Sequence, residues 1–445
     1  MFIEKIFKGD PRTSLIKKNI AASILIKGWS CIIQFLLVPI TLNCLSKYEY
    51  GIWLTISSIL IWIDQFDIGL GNGLRNRLAE AVARKENERA RILVSTTFVG
   101  MFAIVMPIII LFITAIQTID CYSLLNISPI IIPNLNGILI VSVSLVGATF
   151  IFKFIGNVYL GLQMPAVNNL LVVGGQTISL FAIYILSLIG IHSFFTVAVI
   201  YTASPLIVYL ISYPITFNRY KYLSPRISLF CIKEIKGLFA LGVKFFLVQI
   251  AGLVIFASSN LLISNIISPT EVTSYQIAYK YFSILIMVFT IISAPLWSAT
   301  TDAYTKNDWK WINTTMRKMR NIMYALAGVL VIMVTLADLF YSVWVGKSIQ
   351  IELSLSVSMA IYIAVLIYST CYSNILFGIG KIKLITIITC FEAIIYIPTA
   401  IYFGKMHGLQ GIVWSLIAVN MLCAICNRIQ FSKLANSTAT GIWNT

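Results

Sequence analysis

Apolar runs of about twenty residues recur along the whole chain, separated by short polar segments, and this pattern restricts what it can fold into. A helix of that length crosses the hydrocarbon core of a bilayer. Within hydrocarbon, only structures that satisfy their own backbone hydrogen bonds persist. Twelve candidate helices follow, at 19–44, 51–70, 93–117, 136–162, 168–190, 194–217, 237–265, 275–299, 321–344, 353–378, 384–404 and 409–430. Of the 445 residues, 59% are hydrophobic and only 11% charged, more apolar than a soluble core requires. The expected fold class is an all-α integral membrane protein.

The formal net charge of +16 would suit a nucleic-acid partner if the basic residues were scattered. They are not. With a cytoplasmic N-terminus, inward-facing segments hold 25 of the 32 Lys and Arg, including all eleven arginines; Lys47, Lys347 and Lys405 fall outside. That is the positive-inside pattern, so the basic balance reports topology rather than a polyanion partner. Both termini are expected in the cytoplasm. Residues 1–18 are mixed and charged and the first apolar run is too long for a signal-peptide core, so helix 1 is expected to act as an uncleaved insertion signal.

Several chemistries are excluded. Cys423 and Cys426 form a C-x-x-C, but there is no second such pair, and the histidines number two, His192 and His407. Packing is the expected role of the eight cysteines, with no cofactor and no metal. The glycines of 69–73 lack the preceding strand of a dinucleotide-binding turn, and no Walker lysine is present. The 21 tyrosines fit interface belts by default and sugar-stacking surfaces as well.

The longest segments outside the spans, 71–92, 118–135, 218–236 and 300–320, are too short to hold a catalytic domain. Two halves are visible instead. Ala79-Glu80-Ala81-Val82-Ala83-Arg84 after helix 2 parallels Thr301-Asp302-Ala303-Tyr304-Thr305-Lys306 after helix 8, at a constant offset of 222. Six spans per half return the chain to the same side, which makes the repeats parallel. The expected organisation is about 12 transmembrane helices in two six-helix bundles related by a pseudo-two-fold axis. The N-terminal bundle takes 1–217, a cytoplasmic linker 218–236, the C-terminal bundle 237–430 and a cytoplasmic tail 431–445. Pro39, Pro107, Pro205, Pro295 and Pro398 lie within spans, each a static kink or a hinge, with Pro39 and Pro295 the preferred hinge candidates.

Charges inside the spans point to function. Lys27, Lys153, Lys244 and Lys280 each cost roughly 2.5–3.5 kcal/mol near a helix centre, so they are expected to line a polar cavity or meet a counter-charge. Lys153 is too deep for easy snorkelling, and Asn157 follows at i+4. Lys244 and Lys280 lie nearer span ends, where snorkelling is the competing role. Asp64 and Asp67 share a face of helix 2 and either pair with Lys27 or carry protons. Glu392 in helix 11 has no sequence partner; it would exchange protons or pair with a lysine.

Phe66-Asp67-Ile68-Gly69-Leu70-Gly71, with the basic stretch Leu74-Arg75-Asn76-Arg77-Leu78-Ala79-Glu80-Ala81, resembles the end of helix 2 in bacterial polysaccharide flippases. Pro295-Leu296-Trp297 with Asp302-Ala303-Tyr304, then Trp344-Val345-Gly346-Lys347, then Gly378-Ile379-Gly380-Lys381-Ile382-Lys383-Leu384, are similar to later parts of the same proteins. Those flippases belong to the multidrug/oligosaccharidyl-lipid/polysaccharide exporter superfamily. The resemblance implies two six-helix bundles around a cationic cavity in the bacterial inner membrane. It implies a lipid-linked oligosaccharide substrate on undecaprenyl pyrophosphate, of O-antigen or capsule type, moved between leaflets by alternating access with proton coupling. Asp67 carries over by motif; the lysines do so only by chemistry, as point charges for a diphosphate. Membrane lipid, glycan polymerase and glycosyltransferase would be the partners, and a monomer the working unit. The alternatives are a cation-coupled multidrug exporter of that superfamily or a membrane polysaccharide polymerase or ligase. The outer loop 118–135, with Asp120 its only charge, argues against such an enzyme.

Overall fold

The structure, a computed structural model, describes residues 11–65, 70–347 and 349–444. Among these it does not describe the side chains at 11–24, 64–65, 236–249 and several positions within 72–83 and 251–305. The described residues are helical almost throughout and contain no strand. The helices are α1 (Pro11–Cys44), α2 (Lys47–Gln65), α3 (Leu70–Ala83), α4 (Asn87–Thr118), α5 (Cys121–Leu125), α6 (Leu135–Phe152), α7 (Phe154–Gly161), α8 (Pro165–Ile189), α9 (Phe194–Arg219), α10 (Ile232–Ile266), α11 (Pro269–Thr305), α12 (Trp309–Thr335), α13 (Ala337–Trp344), α14 (Leu353–Ile379) and α15 (Lys383–Ala435). Among the described residues, eight helices are long and apolar enough to cross a membrane. Their outer faces are those of lipid-facing helices: on α8, Leu170, Phe181, Ile185, Leu188 and Ile189 are each more than half exposed. The all-α membrane fold is as the sequence predicts.

Where the boundaries differ, hydrophobic spacing gives the reason. Residues 71–92, expected as a loop, contain α3, because Leu70, Leu74, Leu78 and Ala81 fall on one face and are fully buried. Similarly, α12 begins at Trp309 rather than 321. Ile312, Met316, Met319 and Met323 form a buried stripe through a basic, otherwise exposed turn of helix. The span expected at 136–162 divides into α6 and α7 at Lys153.

The chain forms two compact units, residues 1–49 with 59–246, and residues 50–58 with 247–445. In the first, α1 packs on α8 and α9 through polar pairs: Ser30 Oγ donates to Gln176 Oε1 at 2.6 Å, and Thr41 Oγ1 meets Tyr201 OH at 2.8 Å. Gly175 lets α8 approach Pro205 of α9 so closely that a Cβ would lie 2.8 Å from the proline Cα. The segment 220–231 is fastened to α4. Arg91 Nε donates to Ser224 O at 2.9 Å, while Ser95 Oγ and Thr96 Oγ1 accept from the backbone N–H groups of Arg226 and Cys231.

In the second unit, residues 50–58 of α2 pack on α10 and α11. Gly51 abuts the Pro269 carbonyl so tightly that no Cβ would fit. Gln276 Nε2 donates to Asn260 Oδ1 at 2.7 Å, and Asn260 Nδ2 to the Leu54 carbonyl at 3.2 Å.

The repeat read from the letters has a backbone counterpart. At the end of α3, Lys85 takes φ 61°, its N–H bonds to Val82 O, and Glu86 N–H bonds to Ala81 O. At the end of α11, Asn307 takes φ 55°, its N–H bonds to Tyr304 O, and Asp308 N–H bonds to Ala303 O. Every position is shifted by 222, and α4 and α12 then start at Asn87 and Trp309, the same shift. Both ends are Schellman-type caps, which satisfy the last carbonyls of a helix.

α15 comprises two arms, since His407 (φ −126°, ψ 15°) and Gly408 (φ 59°, ψ −140°) leave the helical region. The arms, 383–406 and 409–435, correspond to the two expected spans at 384–404 and 409–430. Gly408 occupies a region open essentially to glycine alone, and a Cβ on Gly411 would collide with the Phe403 carbonyl. Gly408→Ala should therefore cost about 1–3 kcal/mol, and Gly411→Val more. Thermal unfolding of the purified protein in detergent checks the order; an unchanged midpoint for both variants would mean that this junction does not hold the arms.

Candidate substrate and coupling residues

Lys153 sits at the joint of α6 and α7. Phe152 and Phe154, on either side of it, both pack against Phe98 of α4, with ring centroids at 6.4 and 5.1 Å. Phe152 also meets Tyr213, and Phe154 meets Phe217, both on α9. Residues two apart in a regular α-helix point to nearly opposite sides. The chain reconciles this with a tight turn, in which Gly156 N–H bonds to Lys153 O at 2.9 Å, three residues back. Lys153 is left half-buried at an irregular point of a span, and Asn157, also half-buried, follows on α7. At Gly156, a Cβ would require the Asn168 side chain of α8 to shift.

Lys27 lies on the exposed part of α1, two residues before Trp29, whose indole N–H donates to Thr177 Oγ1 at 3.2 Å. Its expected partnership with Asp64 or Asp67 falls outside the described residues, since Asp67 is not described and Asp64 is described only as backbone of α2. Lys244 is likewise described only as backbone of α10. Lys27, Lys153, Asn157, Asp64 and Lys244 belong by number to the first unit, Lys280 and Glu392 to the second.

Lys280 does not reach away from the helix end. Its Nζ donates to Tyr50 OH at 3.2 Å and lies 5.9 Å from that ring's centroid. Tyr50 is 2% exposed. A hydrogen bond to a charged donor contributes about 1.5–3 kcal/mol, enough to offset much of the roughly 2.5–3.5 kcal/mol cost of a lysine in a span. The partner is neutral, and among the described residues Lys280 makes no ion pair.

Glu392 is 3% exposed and accepts a hydrogen bond from the backbone N–H of Cys423 at 2.7 Å, linking the two arms of α15. A sequence partner was not visible because the donor is a main-chain group. One turn further, Asn427 Nδ2 donates to Ser373 Oγ of α14 at 2.9 Å and contacts Cys423 Sγ at 3.3 Å. A cavity of about 360 Å³ opens beside Glu392, walled by Phe391, Ile395, Phe403, Trp414 and Val419. No group of His, Cys, Asp and Glu suited to a metal ion occurs among the described residues.

Sequence reasoning missed a tyrosine cluster in this unit. Tyr275, Tyr279, Tyr396 and Glu392 all lie within electrostatic range of Tyr362. Tyr396 OH meets Ser259 Oγ at 2.6 Å. Tyr275, Tyr362 and Tyr396 are buried at 3% exposure or less, so these rings are not an interface belt. Tyr279 adjoins Lys280 in sequence and Tyr396 follows Glu392 by one helical turn; that adjacency and that i, i+4 spacing were the available signal.

Residues 16–298 match the family described as "Polysaccharide biosynthesis protein". The chain belongs to the polysaccharide biosynthesis protein family. Within and around it, the chain is similar to a "Putative O-antigen transporter" of Salmonella typhi, 21% identical over 86% of this chain and 88% of the relative. It is also similar to a "Putative O-antigen export protein" of Yersinia pseudotuberculosis, 24% identical over 87% and 89%. Among solved structures, an inward-facing multidrug resistance MATE family transporter of the MOP superfamily superimposes with a TM-score of 0.76 at 16% identity, covering 94% of this chain and all of that one. A second MATE structure, in complex with MaD3S, gives 0.65 at 16% identity, covering 98% of both chains. These structures share the fold of this family member.

The Glu392 contact gives a test. Glu392→Ala leaves the Cys423 N–H without its carboxylate acceptor and should cost about 1–3 kcal/mol, whereas Glu392→Gln keeps an acceptor oxygen and should cost less. Detergent-solubilised thermal unfolding distinguishes them; equal losses for both variants would count against the hydrogen bond.

Proposed function

We propose that this protein is a flippase of the bacterial inner membrane, moving lipid-linked oligosaccharide repeat units of the O-antigen or capsule type from the inner to the outer leaflet. The observation that carries this reading is the near end-to-end likeness to relatives named for O-antigen transport and export, within a polysaccharide biosynthesis family. The chemistry inside the spans supports it. Lys280 donates to a neutral tyrosine, and Lys153 is set at a helix irregularity within a span. Together with Lys27, Lys244 and Asn157 they would form the cationic site for an undecaprenyl-linked pyrophosphate, each lysine acting as a point charge.

Alternating access would move the bundles 1–217 and 237–430 against each other, with both termini in the cytoplasm. Asp64, Asp67 and Glu392 would carry the coupling protons. Glu392 is suited to this role because its charged form is held by a single main-chain N–H in an otherwise apolar setting. Protonation would weaken that bond and loosen one arm of α15 from the other. Glycan polymerase and glycosyltransferase would act beside the flippase, which would work as a monomer.

Accessibility of an undecaprenyl-pyrophosphate oligosaccharide to an external probe in proteoliposomes tests the reading. Wild type should expose the glycan in a protein-dependent way. Lys153→Ala should lower the rate about tenfold or more, the loss expected for one charged phosphate contact. Glu392→Gln should abolish acceleration by a pH gradient. A wild type that moves no lipid-linked glycan across several head groups, yet exports a cationic dye, would overturn the flippase in favour of multidrug export.

A further inference from the structure

α14 and the second arm of α15 run side by side in the same direction, and their polar contacts advance together. Gln410 Nε2 donates to Ser354 Oγ at 2.7 Å, Trp414 Nε1 to Ser358 Oγ at 3.3 Å, and Asn427 Nδ2 to Ser373 Oγ at 2.9 Å. Beside this seam lies a groove of about 810 Å³, within the roughly 300–1,000 Å³ typical of small-molecule sites. Its walls are apolar for most of its length, and Ile361, Met421, Ile425 and Ile429 among them are exposed. Polar groups gather at one end only: Tyr368, Arg428, Ser432 and Lys433. From Met421 to Lys433 the helix rises about 18 Å.

Among the described residues, no ion pair involves Arg428 or Lys433: the pairs are Arg77–Glu234, Arg84–Glu80 and Arg89–Glu86, all far along the chain from this groove. Arg428 is exposed and within hydrogen-bonding reach of Tyr368. Lys433 Nζ lies 4.2 Å from the Trp443 ring centroid, a contact that orients the ammonium and leaves its charge intact. Two cations, a phenol and a hydroxyl closing an open apolar trough complement one phosphodiester head carried on acyl chains.

We propose that this groove is a binding site for an anionic glycerophospholipid of the surrounding bilayer, its phosphate between Arg428 and Lys433 and an acyl chain along Ile425 and Met421. Basic pockets between membrane helices suit anionic head groups, and arginine supplies a planar fork for phosphate oxygens. The lining residues offer no further polar side chain with which a sugar could bond, so the lipid-linked glycan fits this groove poorly.

Native mass spectrometry of the full chain in detergent, with added phosphatidylglycerol, phosphatidylcholine or undecaprenyl phosphate, tests the site. Phosphatidylglycerol should be retained in preference to phosphatidylcholine. Arg428→Ala with Lys433→Ala should weaken that retention roughly thirty-fold. The charge-matched control Lys310→Ala with Lys318→Ala, at exposed positions of α12, should not. Ala364→Phe, which fills the trough without altering charge, should also displace the lipid, and monodispersity of each variant verifies folding. Equal retention of both phospholipids, undiminished phosphatidylglycerol in the Arg428/Lys433 variant, or retention of undecaprenyl phosphate alone would each overturn the proposal.

Discussion

Inside hydrocarbon, a polar group finds its partner within the protein or pays for its absence, and the placement of helix breaks and charges in this chain follows from that. Each unsatisfied group costs several kcal/mol in such a medium. Outside the spans, the carbonyls at the ends of α3 and α11 are closed by the same left-handed cap, at Lys85 and Asn307. Glu392 takes a main-chain N–H, Lys280 takes a tyrosine hydroxyl, and Asn260 bridges Gln276 to the Leu54 carbonyl. At Lys153 the irregularity lets two neighbouring phenylalanines face the same aromatic cluster.

The matched caps also give physical content to the internal repeat. The letters alone offered an acid, an alanine and a base in common, 222 residues apart. What the two copies preserve is the backbone that reverses the chain: a left-handed residue, two specific hydrogen bonds, and an acid that opens the next helix, Glu86 in one and Asp308 in the other. Lysine and asparagine both serve at the left-handed position. A geometry constrains sequence only where an alternative residue would clash or leave a donor bare, so the repeat is stronger in conformation than in composition.

Fold class was legible because hydrophobic length is a property of single segments. The twelve spans needed no knowledge of what touches what. Helix extensions such as α3 and the start of α12 were legible in principle, from buried stripes at helical spacing, but were hidden by the charges that share those segments. The candidate site was legible only as residue types. That Lys153, Lys280 and Glu392 were worth attention followed from the cost of charge in a span; their partners did not follow. Tyr50 lies 230 residues from Lys280. The Cys423 donor is a backbone group that no side-chain pattern announces, and the buried tyrosines have the same letters as a membrane-interface belt.

The identity of those partners matters for what the charges can do. Had Lys280 met an aspartate, the pair would have been neutral and the lysine a structural element. A phenol supplies a hydrogen bond without a countercharge, so the lysine is stabilised by a neutral partner. Glu392 is treated in the same way, with a main-chain N–H in place of a lysine, so its charge too is solvated without being cancelled. In a site meant to bind and release a charged ligand, full ion pairs would have to break at each cycle, at several kcal/mol apiece. Neutral partners avoid that barrier, and on the proposed reading they would allow the lysine to respond to substrate and the carboxylate to protons.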